Sequence, residues 1–311
     1  MKKFILWGVV VVAILAVGAY VVNKNFYQEE VLKNDDTKQV EQTKVVAEVP
    51  KTEETKVADE KVIDTSKTII GTSVENRKIT AYHYGAGDTE LLFIGGIHGG
   101  YSWNTALVAY ELMDYLDKNP TLIPENVRVT VIPVLNPDGL YKTVGVEGIF
   151  TKADVTKTLD ETIPGRFNAH QVDLNRNFDC DWKTTSMWQN KTVSGGSKAF
   201  SEPESQALRE YVGAHEPSAV VVWYSAAGGV FSSSCHNEIS SETLALTSAY
   251  ADASKYPAYK DFDFYAITGD MVNWFAKNDI PAISVLLTTH DDIEWSKNKA
   301  GIDALLQRYA E

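Results

Sequence analysis

Apolar residues fall into two regimes along the chain. Behind Lys2 and Lys3, residues 4–22 form one unbroken run with no charge and no polar face. As a helix that run covers ~28 Å, close to the ~30 Å core of a bilayer. It predicts either an uncleaved anchor with its positive end in the cytoplasm, or a signal peptide cut near Val17-Gly18-Ala19. Both readings export the rest of the chain.

Residues 23–67 are rich in Lys, Glu, Asp, Thr and Val, with no Gly and no aromatic residue after Tyr27. Apolar pairs such as Val45-Val46 stand isolated between charges and cannot build a core, so this segment predicts a disordered, charged linker. From residue 68 the pattern changes. Apolar, β-branched blocks at 91–97, 127–135, 219–223 and 282–287 predict buried strands. Between them, 104–116, 202–212, 241–254 and 270–277 carry helical spacing. Ser201 is the expected N-cap of the second helix, with Pro203 at its first position, and Asn136-Pro137-Asp138-Gly139 is expected to turn. Near-continuous apolar strands alternating with helices predict one α/β domain over 68–311. Its sheet should be mixed, largely parallel and twisted, with helices on both faces. Ligands of such sheets bind beyond the carboxyl ends of the strands, where His98, Asn136, Ser225 and Thr288 fall.

With 42 acidic residues against 29 basic ones and a net charge of -13, the chain is a poor partner for nucleic acid. Two cysteines, Cys180 and Cys235, cannot form a disulfide framework or a CxxC zinc site. Both fall near the same sheet edge of an exported domain, which predicts a bridge between them; two separate buried thiols are the alternative.

Four segments carry candidate chemistry: Gly95-Gly96-Ile97-His98-Gly99-Gly100-Tyr101, Asn136-Pro137-Asp138-Gly139, Val172-Asp173-Leu174-Asn175-Arg176-Asn177-Phe178, and Phe200-Ser201-Glu202-Pro203-Glu204. In order and spacing they resemble the funnel-type zinc metallocarboxypeptidases, whose bacterial members often act on peptides and cell-wall stem peptides. The resemblance covers residues 68–306 and implies that family's fold. It also implies that Arg176 grips a substrate carboxylate with two parallel hydrogen bonds, Asn175 adds a third, Arg166 polarises the scissile carbonyl, and Tyr265 covers the bound C-terminus. A surface salt bridge from Arg176 to Asp173 or Asp179, and plain core packing of Tyr265, are the competing readings.

The sequence departs from the family where the chemistry is concentrated. His98 matches the first zinc ligand. Ser102 stands where a glutamate ligand is expected, Tyr224 where the second histidine is expected, and Leu286 where the general-base glutamate is expected. A catalytic zinc needs about three protein ligands, and leucine accepts no proton. No zinc or other cofactor is therefore expected. Carboxylates left in a dry pocket without a cation would be costly, so the three replacements fit one another. His170, His236 and His290 read as loop or surface residues.

Three functions follow as alternatives. One is a membrane-tethered, extracytoplasmic pseudoenzyme that binds peptide C-termini or cell-wall stem peptides without cutting them. The second is an active zinc hydrolase rebuilt around His98 with His290 or Asp291. The third is a scaffold that uses the fold for other contacts.

Overall fold

The computed structural model describes residues 66–310. The anchor or signal segment and nearly all of the linker lie outside the described residues. Among the described residues, ten strands and seven α-helices are formed: β1 (Lys67–Thr72), β2 (Lys78–Gly85), β3 (Thr89–Ile94), α1 (Trp103–Lys118), β4 (Val127–Ile132), α2 (Pro137–Val144), α3 (Leu159–Thr162), β5 (Thr185–Trp188), β6 (Lys191–Ser194), α4 (Pro203–His215), β7 (Ala219–Ser225), β8 (Gly229–Ser232), α5 (Ser241–Ser254), β9 (Ala258–Tyr259), α6 (Met271–Lys277), β10 (Ala282–Leu287) and α7 (Trp295–Arg308). Eight strands make one sheet in the order β1-β2-β4-β3-β7-β10-β8-β9, and β5 and β6 form a separate hairpin. The centre, β4-β3-β7-β10, is parallel, while β1, β2 and β8 join antiparallel. This is the expected single α/β domain with a mixed, mostly parallel sheet.

Period two along the central strands splits the core in two. Leu92, Ile94, Val220, Val222, Tyr224 and Leu286 face one side, packed with Leu208 of α4 and Phe275 of α6. Leu91, Phe93, Val221, Trp223, Val285 and Leu287 face the other, against Leu112 of α1, Leu246 of α5 and Leu305 of α7. Strands buried on both faces explain why these stretches read as unbroken apolar runs.

Three local expectations are corrected. Lys67, placed in the linker, already belongs to β1. Glu202, not Ser201, is the N-cap of α4, because Ser201 turns its hydroxyl to the Glu202 carboxylate at 2.7 Å. The Asn136-Pro137-Asp138-Gly139 turn is the first turn of α2: the Asn136 side chain accepts the Gly139 N–H at 2.9 Å, and Pro137 sits at the first helical position.

Candidate active site

A cavity of about 380 Å³ opens beyond the carboxyl ends of β3, β7 and β10. Its lining includes His98, Arg166, Asn175, Arg176, Tyr224, Tyr265, Leu286 and His290. Of the four edge residues singled out above, His98 and Ser225 line it. Asn136 instead caps α2 and donates to the Arg166 carbonyl at 3.3 Å, and Thr288 lines a neighbouring groove.

Two buried arginines dominate the charge, and they are held differently. Arg166 Nε and Nη2 both donate to Asp173 Oδ2, at 3.0 and 2.8 Å, and its guanidinium lies 4.3 Å from the Trp188 ring centroid. Burial favours the protonated form of Asp173, but the cations beside it outweigh this and hold its carboxyl well below the usual range. Arg176 forms no such pair. Its Nη1 donates to the Asn175 carbonyl at 2.6 Å, and Nε and Nη2 donate to the Met187 carbonyl at 3.3 and 3.1 Å. The expected alternative of a salt bridge is overturned, since Asp173 is taken by Arg166 and Asp179 by Lys277. Two of the five guanidinium N–H groups have no protein partner among the described residues.

Arg176 is fixed from behind by a close backbone contact. The Phe178 N–H donates to the Gly269 carbonyl at 3.0 Å, and the Gly269 N–H donates to the Cys180 carbonyl at 2.7 Å. Gly269 has φ 66°, and a Cβ there would stand 2.2 Å from the Arg176 carbonyl oxygen, so only glycine fits. Cys180 is joined to Cys235 in the expected disulfide, with Cα atoms 6.1 Å apart. The bridge ties the arginine segment to the loop after β8; Ser232 at the end of that strand and Ser234 in the loop line the cavity.

Asn175 is a junction. Its Nδ2 donates to Asp270 Oδ2 at 2.8 Å, while its Oδ1 accepts the Tyr224 hydroxyl and the Met271 N–H, both at 3.1 Å. One amide N–H is left for a ligand. Tyr265 packs at 5.0 Å from the Phe262 ring and lies 5.9 Å from the Arg176 guanidinium, half-buried on the cavity wall.

The side chains of His98, Ser102, Tyr224 and Leu286 do not form a site that fits a zinc ion. His98 is buried, and among the described residues its nearest polar contact is a long one, Nε2 to Asp173 Oδ1 at 3.5 Å. Burial, aided by Arg166, pushes the His98 imidazole down to about 4, so it is neutral at pH 7. The Tyr224 ring is 5.6 Å from the His98 ring. Burial, together with Asp270, drives the Tyr224 phenol far above its usual range, so it is a protonated hydrogen-bond donor and not a tyrosinate ligand. Ser102 Oγ is buried and unpartnered, and Leu286 offers no donor atom. Among the described residues, no group of three or more His, Cys, Asp or Glu is arranged to hold a metal ion.

The other histidines divide. His170 and His236 are exposed and bonded to Glu202 and Asp181, as expected of loop residues. His290 departs from that reading: it lines the cavity, its ring is 4.4 Å from Tyr101, and burial lowers it to about 4. Asp291 pairs with Lys152 and does not line the cavity. Sequence reading also missed Trp188, Phe262, Phe264 and Asp270 as wall residues. Asp270 was visible only as the start of a helix, which it caps by accepting the Asn273 N–H at 3.0 Å.

A family model described as zinc carboxypeptidase matches residues 55–293. The chain belongs to the zinc carboxypeptidase family. Human carboxypeptidase Z is 28% identical over 180 residues, which is 54% of this chain but 26% of the relative. Human carboxypeptidase D is 30% identical over 122 residues, 35% of this chain and 8% of the relative. The chain thus spans a minor part of the curated relatives it matches. The fold of this zinc carboxypeptidase family member is shared with the murein-tripeptide amidase MpaA from Escherichia coli O157, at a TM-score of 0.57 and 20% identity over 78% of this chain and 92% of that one. It is shared too with a carboxypeptidase A from Helicoverpa armigera, at a TM-score of 0.60 and 19% identity over 78% of this chain and 66% of that one.

Proposed function

We propose that this zinc carboxypeptidase family member binds the free carboxyl terminus of peptides, cell-wall stem peptides among them, and does not hydrolyse them. The observation that carries the reading is Arg176: a buried guanidinium on the cavity wall, braced by backbone carbonyls, with no carboxylate of the protein within 4.0 Å among the described residues. Burying a cation without a counter-ion is costly, and a ligand carboxylate would supply the missing charge through the two free N–H groups. Asn175 and Arg166 Nη1 stand on the same wall and add donors. Hydrolysis lacks both of its usual supports, because Leu286 cannot take a proton and His98 has no second ligand beside it. The domain is displayed outside the cytoplasm, tethered by residues 4–22 or released after their cleavage.

A rebuilt zinc hydrolase is the second reading, and His98 with His290 on one cavity favours it. It has two imidazoles, while Asp291 is engaged by Lys152 and Asp173 by Arg166.

The test is calorimetric titration of peptides that differ only in a free or amidated C-terminus, with metal content measured on the same preparation. Binding of the free acid alone, lost in Arg176→Ala, is expected. Equal binding of the amide, or chelator-sensitive cleavage by a stoichiometric zinc protein, overturns the proposal.

A further inference from the structure

Arg176 is not the only unmatched charge in the cavity. Asp270 is 5% exposed and lines the same wall, and no lysine, arginine or histidine nitrogen comes within 4.0 Å of its carboxylate among the described residues. Its Oδ2 accepts Asn175 Nδ2 and its Oδ1 accepts the Asn273 N–H, so neutral amide donors face the carboxylate and no cation does among the described residues. The neighbouring pair Arg166–Asp173 shows how the fold handles such groups when it closes them off, with a guanidinium and a carboxylate in direct contact at 2.8 Å. Arg176 and Asp270 are of opposite sign and stay apart, with Asn175 between them. Asn175 accepts from Arg176 through its backbone carbonyl and donates to Asp270 through its side chain. One residue thus spaces a positive and a negative site a few bonds from each other.

Building on the carboxylate-binding reading above, we infer that the cavity recognises an unacylated amino-carboxylate, with the ligand carboxylate at Arg176 and its ammonium at Asp270. A free amino acid meets that requirement, and so does a chain end that presents both charged groups on one carbon. An ordinary peptide terminus fills only the Arg176 half of the site, because its α-nitrogen is an amide. Burial raises the Asp270 carboxyl above its usual range, as expected for an acid waiting for a cation. Both charges then become paired, which removes the cost that each carries alone. The aromatic wall of Tyr265, Phe262 and Phe264 would accept an apolar side chain beside them.

The probes are L-phenylalanine, 3-phenylpropanoate, which lacks only the ammonium, and N-acetyl-L-phenylalanine, titrated into the full-length protein. L-phenylalanine should bind at least about tenfold more tightly than either analogue, the size of effect that a buried charge-assisted contact supplies. Asp270→Asn keeps the shape and a capping side chain, and should shrink that ratio to about twofold or less. Equal or tighter binding of 3-phenylpropanoate overturns the inference. If the analogues bind equally well and depend on Arg176, the carboxylate reading stands and the ammonium site falls. If a peptide acid binds and none of the three probes does, the inference also falls. If Arg176→Ala leaves every acid bound as before, both readings fall together.

Discussion

The Tyr224 hydroxyl donates to Asn175 Oδ1 at 3.1 Å and so braces the residue between Arg176 and Asp270. Tyr224 and Leu286 are also register partners on the parallel strands β7 and β10. They are therefore neighbours across one rung of the sheet, with the His98 ring 5.6 Å from that of Tyr224.

Restoration should follow that geometry. Leu286→Glu alone buries a carboxylate with no metal ion to pair it and should destabilise the fold by about 3 kcal/mol without producing cleavage. Ser102→Glu with Tyr224→His should recover bound zinc but little turnover, because a positioned base is worth roughly 100- to 10,000-fold. The triple variant should release C-terminal residues, and Arg176→Ala on that background should abolish the release. Elemental analysis and a peptide cleavage assay check each step; cleavage by the unaltered protein would contradict the set.

His98 predicts an acid weakness. Its folded-state value of about 4 lies below the ordinary 6.5, so as pH falls the unfolded chain takes up a proton first. Its contribution to stability is complete above about 6.5 and is lost as pH falls toward 4, by roughly 3 kcal/mol in all. Denaturant midpoints measured between pH 7 and 4 should fall, and His98→Gln should fall less steeply. Parallel slopes for the two proteins would exclude this origin.

Ser102 Oγ is buried without a partner and makes no capping bond at the start of α1. Removing an unsatisfied hydroxyl should help, so Ser102→Ala should be stabilised by about 1 kcal/mol. A thermal melt checks this, and a lower melting temperature would show that the hydroxyl has a partner in solution.

The Cys180–Cys235 bridge closes a loop over a sequence separation of 55. Chain-entropy reasoning assigns such a loop about 4 kcal/mol. The double serine variant should lose roughly that amount in chemical denaturation. If it loses less than about 1 kcal/mol, the segments on either side are held by their other contacts alone.

The central sheet was legible because its strands are buried on both faces and β-branched throughout. The limits of 241–254 and 282–287 coincide with α5 and β10. What escaped was structure that borrows another element's signature. Asn136-Pro137-Asp138-Gly139 carries turn chemistry, yet a helix begins with the same capped turn. Helix α7 was hidden by Gly301 in its interior, a residue that usually weakens a helix. Here a Cβ would stand 2.6 Å from the Tyr250 ring, so glycine allows α5 and α7 to pack closely. In the site, motif residues identified the arginines and His98, but the role of Asp270 depends on its distance from other charges, which no linear pattern records.

Strand β10 separates two kinds of selection by parity. Ser284 and Leu286 border the cavity, while Ile283, Val285 and Leu287 belong to the opposite core. A change of side chain at Ser284 or Leu286 therefore falls on the cavity side, away from the core that Ile283, Val285 and Leu287 build. A catalyst built on such a strand can lose its chemistry in one step and remain a well-folded receptor, and the same arrangement leaves the way back open.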